Sequence, residues 1–142
     1  NQGLNQMFGA NPENYSHACD ENGLCLPGHD GIDFHTVTGS PIKAMAAGTV
    51  YRVHTDPLTH AYGIHIRIDH GNGYKTIYGH LSAAGVLVGD EVFSGMTIGY
   101  GGSTGNSTGP HLHLAMKQEG STASGSSWPF DLIDPYPFME DL

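Results

Sequence analysis

The chain has 142 residues, enough for one domain with a buried core, and its 38% apolar content is ordinary, which sets it apart from disordered chains. The formal net charge is −9, with five Lys and Arg against 14 Asp and Glu and no basic run; this excludes a phosphate-binding surface and a nucleic-acid partner. No apolar run approaches the roughly 18 residues of a membrane-spanning helix, so no membrane span is expected. With 21 Gly and 8 Pro and no collagen period, tight turns should be frequent, as in an all-β protein. Ten histidines exceed what a core needs.

Residues 1–18 have only Met7 and Phe8 as apolar anchors and are expected to be irregular. The first residues lack the positive start and apolar run of a secretion signal, so the chain reads as a mature or trimmed domain. Cys19 and Cys25 bound a short loop that suits a disulfide in an oxidising compartment, with two free thiols as the alternative. A zinc ribbon is excluded, because it needs four ligands in paired short spacings.

A Pro27-Gly28 turn leads into a short strand from Ile32, and further short strands are expected at Ile42–Met45 and Thr49–His54. Thr55 to Ala61, with Asp56-Pro57, is a loop. From Tyr62 to His70 the pattern alternates: Tyr62, Ile64, Ile66 and Ile68 share one face, and Gly63, His65, Arg67 and Asp69 the other. That is a half-buried antiparallel strand. Asn72-Gly73 is a strong hairpin signal, with Tyr74–His80 as the returning strand. Short strands follow at Val86–Val92 and Thr97–Tyr100, separated by Gly89-Asp90 and Ser94-Gly95 turns, and at His111–Lys117 after the Gly/Ser/Thr-rich loop 101–109. A second such loop covers 120–127, and Trp128–Met139, with its prolines and aromatics, packs irregularly. No amphipathic helix of normal length and no internal repeat is present. The fold class is all-β: a single domain built on an antiparallel β-sheet.

Chemistry concentrates in Pro110-His111-Leu112-His113-Leu114. In a strand, i and i+2 share a face, so His111 and His113 project side by side while Leu112 and Leu114 face the other way. A second candidate pair is His29 and Asp33, in a Gly-rich segment that should turn rather than form a helix. Imidazole and carboxylate oxygen are good zinc donors, and catalytic zinc commonly takes three protein ligands and leaves one position open. His29, Asp33 and one strand histidine supply that number; the other histidine is then free to handle protons. His80, in Tyr78-Gly79-His80-Leu81, taken alone reads as a polar residue ending a hairpin strand.

Three blocks together resemble the lysostaphin/LytM-type zinc metalloendopeptidases, which hydrolyse peptidoglycan peptides. They are Gly28-His29-Asp30-Gly31-Ile32-Asp33-Phe34, Tyr78-Gly79-His80-Leu81, and the run from Gly102-Ser103-Thr104-Gly105 to Pro110-His111-Leu112-His113-Leu114. Their order and spacing agree with the family's, and the resemblance covers roughly residues 24–138. It implies an antiparallel sheet with a loop-framed groove, residues 24–142 as the catalytic domain, and 1–23 as a lead-in whose Cys-bounded insertion departs from the pattern. It also implies His29, Asp33 and His113 as Zn²⁺ ligands. His80 and His111 would be the pair that activates water and stabilises the transition state; general chemistry favours His111 for the water proton and His80 for steadying the oxyanion, with the two roles open to exchange. No other cofactor is implied.

The expected partner is a peptidoglycan peptide, a cross-link or a stem peptide, met by a monomer outside the cytoplasm: secreted, periplasmic or on a phage particle. The competing reading is a non-catalytic cell-wall-binding or regulatory module of the same fold; five filled positions favour the enzyme. His35 is read as structural or exposed, and His54, His60, His65 and His70 as lying on strand ends, outer faces or loops. Loop 101–109 precedes a strand and lacks a Gly-Lys-Ser/Thr ending, so rather than cradling phosphate it lets the backbone approach a ligand and positions His111 and His113. Tyr62, Tyr74 and Tyr78 are assigned to sheet packing.

Overall fold

The computed structural model describes residues 4–10, 30–119 and 132–138. His29, the Cys19–Cys25 pair and the loop 120–127 lie outside the described residues. Among the described residues there are ten strands: β1 (Leu4–Gln6), β2 (Ile32–His35), β3 (Pro41–Lys43), β4 (Gly48–His54), β5 (Ile64–Gly71), β6 (Tyr74–Ala84), β7 (Glu91–Val92), β8 (Thr97–Gly101), β9 (His111–Gln118) and β10 (Leu132–Ile133). A 3₁₀ turn at Tyr136–Phe138 is the one helical element among the described residues, where no helix is long and apolar enough to cross a membrane.

All the pairings are antiparallel, in the order β1-β2-β9-β6-β5-β4-β7, with β10 on β9 and β8 joining β3 to β6. The all-β, antiparallel reading of the sequence therefore holds. The hairpin between β5 and β6 turns at Asn72 and Gly73, both at positive φ (53° and 83°), as the Asn-Gly signal requires. Two expectations change. Leu4–Gln6, in the segment expected to be irregular, pairs with β2 as an edge strand. Of Val86–Val92, only Glu91–Val92 is strand, because Gly89 at φ 95° turns the chain first.

The alternation of β5 and β9 sets the two faces of the sheet. Ile66, Ile68, Tyr78, Leu81, Ile98 and Leu114 are buried together in the main core on one face. The opposite face carries a smaller cluster of Ile77, Ala115 and Leu132, with Phe8 and Tyr62 against it. His113 belongs to this second face: its strand places Leu114 in the main core and turns its own side chain the other way. Buried apolar side chains of this size each contribute about 1.5–3 kcal/mol, so the main core holds the strands that carry the histidines in register.

Candidate active site

Antiparallel pairing brings distant residues to one place. Asp33 on β2 lies opposite His113 on β9, and His113 lies opposite Gly79 on β6, next to His80. Gly31 lets β2 approach: a Cβ there would come within 2.3 Å of the Leu114 carbonyl oxygen and 3.0 Å of His113 Cε1. The described members of the expected set, Asp33, His80, His111 and His113, all line one groove of about 710 Å³.

His113 is almost fully buried, with Nδ1 2.9 Å from Asp33 Oδ1 and Nε2 3.3 Å from Asp30 Oδ1. Burial by itself would lower its pKa, but the charges and hydrogen bonds of Asp30 and Asp33 outweigh that and push it up to about 9. The ring thus sits where a positive charge is strongly favoured. Nδ1 and the Asp33 oxygen face each other at 2.9 Å, and a contact that close needs a hydrogen or a cation between the two atoms. A proton meets that need, and so does a metal ion with nitrogen and oxygen ligands near 2 Å. The donor pair therefore fits zinc. Among the described residues no three His, Cys, Asp or Glu side chains are placed to hold a metal ion, and the third expected ligand, His29, lies outside them.

His80 and His111 stand beside this pair, their ring centroids 4.6 Å apart. His80 Nδ1–H donates to the Thr104 carbonyl at 2.6 Å, and His111 Nδ1–H donates to the Gly109 carbonyl at 2.9 Å. Each neutral ring is left with Nε2 as an acceptor. Burial, backed by the neighbouring His113 and His111, lowers the His80 pKa to about 4. His111 Nε2 lies 3.6 Å from Asp33 Oδ1.

Loop 101–109 positions His111 as expected, and the second histidine it holds is His80. Thr104 Oγ1 donates to the Leu81 carbonyl (2.6 Å) and accepts from Ile64 N–H (3.0 Å) while its carbonyl holds His80. Gly63 and Gly105, both at positive φ, pack so closely that a Cβ on Gly105 would lie 2.3 Å from Gly63 N. His80 itself has φ 60°, with its N–H held by the Tyr62 carbonyl at 2.7 Å.

Three site residues escaped the sequence reading. Asp30 stands between two candidate ligands, yet its own contact with His113 depends on how β2 meets β9. Tyr62 packs against the smaller cluster as expected, and in addition its hydroxyl donates to Asp30 Oδ2 at 2.5 Å and its ring lies against His113, at a centroid distance of 5.1 Å. Gly63, at φ 64°, breaks the alternation just before β5 and swings Tyr62 to the groove face. His65, expected on an outer face, is fully buried under this wall; burial lowers its pKa to about 3. The alternation holds within β5, and Gly63 marks the boundary at which it starts.

Fold and site together define a hydrolase-like antiparallel β domain with a histidine- and carboxylate-lined groove. The chain belongs to peptidase family M23, whose family model matches residues 27–124. It is 39% identical over 112 residues to peptidoglycan DD-endopeptidase ShyA of Vibrio cholerae, covering 79% of this chain and 25% of that protein. Among solved structures it is similar to the catalytic domain of the antimicrobial peptidase lysostaphin from Staphylococcus simulans, with a TM-score of 0.76 and 31% identity over 97% of this chain and 92% of that one. It is also similar to a zinc-containing peptidase from Vibrio cholerae, with a TM-score of 0.65 and 34% identity over 81% of this chain and 33% of that one. The chain spans about a fifth to a quarter of the length of the first curated relatives it matches.

Proposed function

We propose that this domain is a zinc-dependent endopeptidase that hydrolyses peptide bonds of bacterial peptidoglycan outside the cytoplasm. The observation that carries the reading is the His113–Asp33 pair, an imidazole nitrogen and a carboxylate oxygen held 2.9 Å apart, with His80 and His111 alongside in the same groove. His29, Asp33 and His113 would hold Zn²⁺. When bound, the ion supplies Lewis acidity, polarising the scissile carbonyl and bringing the pKa of water toward about 7.

The protein's own groups handle the protons. His111 Nε2 is the acceptor for a proton from water: its Nδ1–H is fixed on Gly109, which leaves Nε2 facing the groove 3.6 Å from Asp33 Oδ1. That proton then passes to the leaving amine. His80 has its Nδ1–H committed to Thr104 and is held neutral, so Nε2 offers a lone pair. It orients the attacking water by accepting a hydrogen bond. This differs from the oxyanion-donor role that general chemistry offered it, because a neutral ring with Nδ1–H already engaged has no second proton to give.

The test is hydrolysis of purified cell walls. Chelation should abolish release of peptide fragments and Zn²⁺ should restore it; undiminished release after verified metal removal overturns the mechanism. Mass spectrometry of fragments from walls with glycine bridges and from walls with direct D-Ala cross-links identifies the bond that is cut.

A further inference from the structure

We propose that Arg67 forms a carboxylate-binding subsite in this groove, and that the peptide recognised carries a carboxylate about 12 Å from the scissile bond, the distance set by strand spacing and rise. The inference deepens the peptidase reading and rests on it.

Arg67 lines the same groove as His80, His111 and His113. The pairing register locates it. His113 lies opposite Gly79, and two residues further along, Ala115, Ile77, Arg67 and Arg52 face one another across β9, β6, β5 and β4. Two strand spacings of about 4.8 Å and two residue steps of about 3.4 Å separate His113 from Arg67, or about 12 Å on the diagonal. An extended peptide covers that in three or four residues. A ligand with its scissile bond at the histidines therefore reaches Arg67 within the same short peptide.

The charge at Arg67 is unbalanced. Its Nε donates to His65 Nε2 at 3.2 Å, and its other described partner is the Tyr51 side chain, which is no carboxylate. Among the described residues no Asp or Glu forms an ion pair with Arg67 or Arg52. Arg52 instead sits directly opposite Arg67, and like charges in facing cross-strand positions are destabilising. In a chain with only five Lys and Arg and a net charge of −9, a groove arginine with a second arginine opposite it on the neighbouring strand calls for an anion. The anion a peptide carries is a carboxylate, and the half-buried guanidinium fork matches it.

Calorimetry with N-acetylated oligoalanine peptides of three to six residues, each as free acid and as amide, tests the subsite. At the matching length the wild-type protein should bind the acid at least about tenfold more tightly than the amide, as expected for a desolvated charge-assisted pair. Arg67→Gln should remove that preference and leave amide binding unchanged, while Arg67→Lys keeps part of it. Equal affinity for acid and amide in the wild type overturns the inference. So does an acid preference that survives Arg67→Gln, or an equal loss of both ligands, which would mark Arg67 as a brace for His65 and Tyr51. The readout is binding, so the two readings fail separately: acid-selective binding without hydrolysis sinks the peptidase reading, and hydrolysis without acid preference sinks the subsite.

Discussion

The Asp30 carboxylate lies 3.3 Å from His113 Nε2, on the edge of the imidazole away from Asp33, and is itself held by the Tyr62 hydroxyl. An outer carboxylate of this kind fixes the tautomer of a ligating histidine and raises its basicity. The pair turns a common strand histidine into one whose Nδ1 is aimed and electron-rich.

Asp30→Asn should therefore weaken Zn²⁺ binding about 10- to 100-fold, the usual cost of losing such a partner. Competition with a chromogenic chelator measures it. Asn can still accept from Tyr62, so the variant should fold; an unchanged zinc affinity would show that Asp30 does not act through His113.

The proton on metal-free His113 sets a pH dependence. With its pKa pushed up to about 9, the folded metal-free protein holds that proton at neutral pH, and a metal ion must displace it. Apparent zinc affinity should rise with pH up to about 9, with proton release visible as buffer-dependent heat in calorimetry. His113→Ala should lose the metal outright. His80→Ala should retain it and lose most turnover; elemental analysis of both variants separates the roles.

His80 occupies left-handed backbone at φ 60°, which costs a residue with a side chain about 1–2 kcal/mol relative to glycine. His80→Gly should therefore be about 1 kcal/mol more stable than His80→Ala in urea titration. Equal stability would mean that the loop relaxes when the Thr104 contact is lost.

His65 gives a stability window. It is buried neutral, with Nδ1–H donated to the Gly63 carbonyl at 3.0 Å, and its folded pKa of about 3 lies below the ordinary 6.5. Between those values the unfolded chain binds a proton that the folded protein refuses. Its contribution is thus whole above about pH 6.5 and is lost progressively as pH falls toward 3. Urea titrations at pH 7 and pH 5 should show a larger loss for the wild type than for His65→Gln; parallel losses would exclude His65 as the source.

The sequence by itself determined what local pattern can determine. Alternation marked the strands around Ile66 and Leu112–Leu114, Asn72-Gly73 marked the hairpin, and the spacing of His111 and His113 put both on one face. The motifs around Asp33, His80 and His113 were specific enough to point to the M23 family. Only the tertiary structure decided what those side chains touch. The grip of Asp30 on His113, the swing of Tyr62 at Gly63, the burial of His65 and the facing of Arg52 and Arg67 all arise where separate strands meet in register. Register is a property of the assembled sheet: it follows from the sum of core contacts and turn geometry, so no short stretch of residues encodes it.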